Sequence, residues 1–141
     1  MIRIELLSWE DARERASAIR FEVFVAEQGV PRAIELDEHD SLCLHALALD
    51  ETGFPVGTGR LLPDAHIGRM AVRRAWRGRG IGGAILERLI DAARGRGDAE
   101  VALSAQVHAL EFYRAYGFAE EGEPYLEAGI AHQAMRRRLA P

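Results

Sequence analysis

Residues 77–83 read Arg-Gly-Arg-Gly-Ile-Gly-Gly and stand directly before a run with helical apolar spacing. A helix start leaves its first backbone N–H groups without carbonyl partners and carries the positive end of the helix dipole. Glycines let an anion approach those groups without meeting side chains. Arg69, Arg73, Arg74, Arg77 and Arg79 fall within eleven residues and add positive charge. Together these features point to a phosphate-bearing ligand held by backbone and guanidinium donors. The alternative is a plain entry loop, for which four glycines in six residues would make a poor helix start.

Gly78, Gly80 and Gly83 also match the G-x-G-x-x-G spacing, but the context of a dinucleotide fold is missing. There the first glycine follows a strand directly, whereas Arg73-Arg74-Ala75-Trp76-Arg77 intervenes here. That fold also wants an acid at the end of its second strand, about 20 residues on. Glu100 has the distance but opens its strand. All eighteen cations are arginine. The absence of lysine excludes a Walker A loop and a lysine Schiff base.

The elements that must position this loop follow from periodicity. Residues 2–7 alternate as a strand, and Ser8 with Asp11 has capping-box spacing. Ala12, Ala16, Ile19 and Val23 predict a helix running to about Glu27, closed by Gln28-Gly29-Val30-Pro31. Residues 31–41 form a polar, acidic loop holding Glu35, Asp37, Glu38 and Asp40. Residues 42–49 and 56–62 read as a hairpin around Gly53-Phe54-Pro55, and 67–72 as another strand. Ile81, Ile85, Leu86, Leu89, Ile90 and Ala93 give a wide helical stripe, broken by Gly95-Arg96-Gly97-Asp98. A strand at 101–105 and a short helix at 109–116 follow. Phe118 opens a last pair of strands, turning at Gly122-Glu123-Pro124 and ending within 126–139. Strands and helices in this mixed order predict one α/β domain over residues 1–141, layered around a single sheet.

At 141 residues and 15.6 kDa the chain has one domain's length. The net charge of −4 argues against a nucleic-acid partner. Apolar runs far below the ~20 residues of a membrane span, and a start without a basic-then-apolar leader, predict no membrane partner and no secretion. Cys43 is the single cysteine, so no internal disulfide is possible, which fits a cytoplasmic setting. Histidines at 39, 45, 66, 108 and 132 offer no short ligand pair, so no metal is expected.

Two motifs carry a resemblance. Arg77-Gly78-Arg79-Gly80-Ile81-Gly82 resembles the [Arg/Gln]-x-x-Gly-x-[Gly/Ala] signature of the GNAT N-acetyltransferase superfamily. Phe112-Tyr113-Arg114-Ala115-Tyr116-Gly117-Phe118 is similar to that family's F-Y-x-x-x-G-F segment, at the family's spacing. The run from Ile19 through Phe21-Glu22-Val23-Phe24 to Pro31, with Ala105-Gln106 and Ala128-Gly129-Ile130-Ala131-His132, resembles the ElaA-like branch. The resemblance implies a central, mostly antiparallel mixed sheet of six to seven strands flanked by helices. It implies acetyl-CoA as co-substrate, held by Met70, Ala71 and Val72 along a strand and by Arg77, Gly78, Arg79, Gly80, Ile81, Gly82 and Gly83. Many members carry asparagine where Gln106 stands here, so that position has no assigned contact.

The implied reaction is acetyl transfer to a primary amine of a small molecule or peptide. A free alkyl amine holds its proton up to a pKa of ~10.4, so a base or a water chain must remove it. A backbone N–H at 70–72 would stabilise the thioester oxygen. The family position makes Tyr113 the acid for the leaving thiolate, with Tyr116 a competitor on nearly the same face. For the base, His108 is the candidate, with His39, Glu27 or a water chain as alternatives. The acidic loop at 28–41 and the turn at 122–129 would flank the acceptor groove and suit a cationic amine, unless their acids form only a solvated face. Rival readings are a CoA-binding module without catalysis and a transferase of longer acyl groups. The state is a monomer or a homodimer.

Overall fold

The computed structural model describes residues 1–35 and 37–139. Leu36, within the expected acidic loop, lies outside them. The order is β1 (Arg3–Leu7), α1 (Trp9–Arg20), a π-helical segment (Phe21–Glu27), α2 (Arg32–Glu35) and a 3-10 turn (Glu38–Leu42). The chain continues through β2 (Leu44–Leu49), β3 (Pro55–Leu61), β4 (His66–Val72), a second 3-10 turn (Arg74–Trp76), α3 (Ile81–Gly95) and β5 (Glu100–Gln106). After a third 3-10 turn (Val107–Ala109) come α4 (Leu110–Ala115), β6 (Ala119–Glu127) and β7 (Ile130–Arg138). The strands form one seven-stranded sheet, ordered β1-β2-β3-β4-β5-β7-β6. Only the central β4–β5 pair is parallel.

Each face of the sheet carries a helical layer. The predicted stripe of α3 is buried throughout, from Ile81 to Ala93, against Val56, Leu61, Val101, Leu103 and Met135. On the other face, α1 buries Ala12, Ala16 and Ile19 against Leu47, Leu49 and Ala71. Ser8 caps α1 by accepting the Asp11 N–H, as its spacing predicts. Glycines on β3 let α3 lie close. A Cβ built on Gly59 would come within 2.6 Å of Met70 Sδ and 3.0 Å of both Ile85 and Leu89. Gly59→Ala should therefore overpack this contact and lower stability by about 1–3 kcal/mol. A urea unfolding midpoint equal to wild type would refute that packing argument.

Three local expectations change. The helix expected to reach Glu27 does so, but its last seven residues are wound as a π-helix, with the Gln28 N–H on the Val23 carbonyl five residues back. The wider winding turns Val23, Phe24, Glu27 and Gln28 all toward one cleft. Residues 31–41 are not a plain acidic loop but a helical turn and a 3-10 turn, pinned from beneath by arginines. Gly122-Glu123-Pro124 is not the final turn. It lies within β6 as a bulge, where Glu121 faces Ala134 and Tyr125 faces His132, with three residues between them on β6 against one on β7. The reversal falls at Ala128-Gly129, both with positive φ (52° and 75°), as a tight hairpin needs.

Candidate active site

The site is a consequence of strands that start together and part. β4 and β5 pair only at His66–Ala102 and Ile67–Leu103. Beyond that point β4 bulges. Thr58 faces Ala71 and Arg60 faces Gly68, so β4 fits one extra residue, and Arg69 takes a φ of 48°. A bulge of this kind bends its strand and ends regular pairing. The two strands diverge into a cleft of about 1140 Å3, whose walls include Met70, Ala71 and Val72 of β4 and Ser104 and Gln106 of β5. Arg73 donates its N–H to Val56 on the β3 side. Alternation along an antiparallel pair then gives Ala71 to β3 and leaves the Val72 N–H on the open edge.

The glycine loop follows β4, and Arg77 at its head lines the cleft. Gly78 and Gly80 have φ of 77° and 79°, and no heavy atom lies within 4 Å of a Cβ built on either. Gly80 caps α3 without a side-chain bond, so the first N–H groups of that helix, from Ile81, Gly82 and Gly83, face outward. This arrangement fits a pyrophosphate. The arginines divide their labour in a way the sequence does not show. Arg77 forks onto Glu27 at 2.7 and 2.8 Å and donates to the Val72 carbonyl, tying the loop to the π-helical segment. Arg73 is held by Glu22, the Pro55 carbonyl and the Phe54 ring. Arg79 lies over Trp76, and Arg74 is largely exposed. The bond from Arg77 lowers the Glu27 pKa, which makes Glu27 a poorer base than its position suggests.

The two tyrosines are separated by their environments. Tyr113 lines the cleft and packs edge-on to Phe112 and Phe118. Burial pushes its phenol up to about 12, so it keeps its proton. Tyr116 instead lays its hydroxyl on Gly83, where a Cβ would fall 2.8 Å from its Cζ. His108 is exposed on the third 3-10 turn and lines the same cleft. Among the described residues, His39 is not part of that lining.

A charge network that sequence reasoning missed adjoins the cleft, with Glu35, Asp37, Arg60 and Arg69 in its lining. Arg20, 1% exposed, donates to Glu35 at 2.5 Å and grips both Asp40 oxygens at 2.9 and 3.1 Å. Arg60 joins Asp40 and Asp37, each at 2.8 Å, and Arg69 bonds the Glu35 carbonyl and Asp37. Burial raises the Asp37 pKa, but the bond and charge of Arg60 and the charge of Arg69 outweigh it and hold the carboxyl near about 2. Glu35, Asp37 and Asp40 are therefore committed to arginines rather than offered to an acceptor. Also unforeseen is a reciprocal amide pair between Gln28 and Gln106, at 2.9 and 3.4 Å, joining the π-helical segment to the end of β5.

With this geometry in place, comparison with known proteins is direct. The family described as "Acetyltransferase (GNAT) domain" matches residues 10–139, and the chain belongs to that family. The N-acetyltransferase YjcF of Bacillus subtilis, itself uncharacterized, is 36% identical over 132 residues, covering 91% of this chain and 94% of YjcF. An acyl-CoA N-acyltransferase of Pseudomonas aeruginosa superposes with a TM-score of 0.87 at 33% identity, over 97% of this chain and 99% of that one. Escherichia coli ElaA superposes equally well, with a TM-score of 0.87 at 28% identity over 98% of this chain and 100% of ElaA. The fold and the ElaA-like branch expected from the motifs are those observed.

Proposed function

We propose that the protein transfers the acetyl group of acetyl-CoA directly to a primary amine of a small molecule or peptide. The carrying observation is the open β4 edge beside the glycine loop, with Tyr113 in the wall of the same cleft. Gly78 to Gly83 and Arg79 would hold the pyrophosphate, while Met70, Ala71 and Val72 align the pantetheine arm. The Val72 N–H would meet the thioester oxygen as it gains charge. Tyr113 would protonate the departing sulfur. An imidazole in the cleft, His108 or another, would take the amine's proton. The name of the Pseudomonas relative, an acyl-CoA N-acyltransferase, supports the same class of donor.

Calorimetric titration with acetyl-CoA, with NAD as the control, tests the reading. Acetyl-CoA should bind and NAD should not. Gly80→Glu places a carboxylate where the pyrophosphate should lie. The side chain has room there, and its left-handed backbone adds only about 1–2 kcal/mol of strain. Affinity for acetyl-CoA should fall at least about 100-fold, since a like charge replaces an anion site. Unchanged affinity, or binding of NAD instead, would remove the basis for the transferase assignment.

A further inference from the structure

The two walls of the cleft belong to opposite faces of the sheet. On β5, Leu103 and Ala105 point into the α3 core, which Tyr113 also contacts. Ser104 and Gln106 point the other way. Register extends that second face outward: Gln106 lies opposite His132 on β7, and His132 lies opposite Tyr125 on β6. Residues directly opposite one another share a face. Ser104, Gln106, His132 and Glu127 accordingly line the cleft from the side away from α3.

His132 is fixed in this wall. Its side chain is 9% exposed and stacks on the Tyr125 ring at 6.1 Å and 23°. Tyr125 is itself held by contact between its hydroxyl and Ser104 Oγ. His132 Nδ1 lies 2.7 Å from the Ile130 carbonyl oxygen. A carbonyl oxygen only accepts, so Nδ1 carries the proton. In the neutral ring the lone pair is then on Nε2. That atom has Glu127 Oε2 at 3.7 Å, outside hydrogen-bond distance. The other titratable groups on packed neighbours are Glu120, Glu121, Glu123 and Tyr125 on β6 and His108 on the third 3-10 turn. On β5 the sole one is Glu100, at the far end of the strand, and the arginines of β7 cluster at that same far end.

We propose that His132, backed by Glu127, is the base that deprotonates the acceptor amine; the inference rests on the acetyltransferase reading above. An alkylammonium entering from this side gives one proton to His132 Nε2, and Glu127 stabilises the resulting imidazolium. The amine lone pair forms the N–C bond to the acetyl carbon, and the C–S bond breaks toward Tyr113 on the opposite face. Tyr113 protonates the sulfur and is reprotonated, through water, by the second ammonium proton. His132 returns its proton to solvent. The sum is one amide, one thiol and one released proton. Acid and base thus act from opposite faces, as an incoming nitrogen and an outgoing sulfur require. The same chemistry marks alkyl amines that are charged at neutral pH as the acceptors that depend on this base, because a nucleophile that arrives neutral has no use for it.

Two small probes separate these cases at saturating acetyl-CoA. Ethylamine is protonated at neutral pH and hydroxylamine is not. Wild type should turn over both. His132→Gln should lose about 100-fold or more in kcat/KM with ethylamine, the usual scale of general-base catalysis. With hydroxylamine it should stay within about threefold, because that nucleophile arrives neutral. Glu127→Gln, on an exposed side chain, should give the same pattern at smaller amplitude and covers the possibility that the buried His132 variant folds poorly. Calorimetric affinity for acetyl-CoA within about twofold of wild type marks a variant as intact. Equal losses with both nucleophiles, no loss with either, or a larger selective loss in His108→Gln would overturn the assignment of His132. Wild type that binds acetyl-CoA but transfers to neither probe would overturn the assignment together with the direct-transfer reading. Absence of acetyl-CoA binding would overturn the transferase reading itself.

Discussion

Tyr113→Phe should reduce acetyl transfer about 100-fold and leave acetyl-CoA affinity within about twofold, the pattern of a group needed only as the sulfur departs. The change removes one oxygen from a ring held edge-on by Phe112 and Phe118, so the packing survives. Burial holds the phenol at about 12. Against a thiol near ~8.5, a full proton transfer to free thiolate would be uphill by roughly 3–4 units, or ~5 kcal/mol. The transfer is therefore drawn forward by the reprotonation of Tyr113 through water, which removes the tyrosinate. Single-turnover rates measured alongside calorimetric affinities check this. A larger loss in Tyr116→Phe, whose hydroxyl rests on Gly83 away from the cleft, would reverse the assignment of the acid.

The second large effect concerns stability. Arg20→Met should destabilise the protein by about 3–5 kcal/mol, because it removes the guanidinium bonded to two buried carboxylates and leaves Asp40 to Arg60 and Glu35 to Arg69 at 3.9 Å. For a chain of this size the melting temperature should drop by about 10–20 °C. Glu35 is 4% exposed and Asp40 2%, and Arg20 supplies bonds to both carboxylates and to the Glu35 carbonyl. Arg60 keeps Asp40 partly compensated but does not reach Glu35 by any of its bonds to Asp37 and Asp40. A melting temperature within about 3 °C of wild type would show that these acids take up protons or water instead.

What the sequence discloses about this fold is what is local in sequence. The α3 stripe repeats every three or four residues, so its buried face can be read without knowing what covers it. The glycine loop is legible for the same reason, since its chemistry lies in seven adjacent residues. The Arg20 network is not. Its members are Arg20, Glu35, Asp37, Asp40, Arg60 and Arg69, and nothing in the spacing says that an acidic cluster and three scattered arginines meet beside one cleft. The π-helical winding escapes because 3.6-residue periodicity and one extra residue give similar apolar patterns over two turns. Gly122-Glu123-Pro124 has turn chemistry but forms a bulge. The real reversal uses an alanine at positive φ, a conformation its side chain does not advertise. His132 was visible as a residue but not as a site member, because its neighbours Gln106 and Tyr125 are set by register between strands.

The Gln28–Gln106 pair bears on how this cleft behaves mechanically. The paired amides tie the end of β5, one limb of the parted strands, to the π-helical segment that lines the same cleft. A tie made of two neutral groups neither titrates nor responds to ionic strength. It differs in that from the Arg77–Glu27 fork, which holds the same segment to the glycine loop through opposite charges and weakens with salt. One side of the cleft is thus anchored by a fixing that solution conditions reach, and the other by one that they do not.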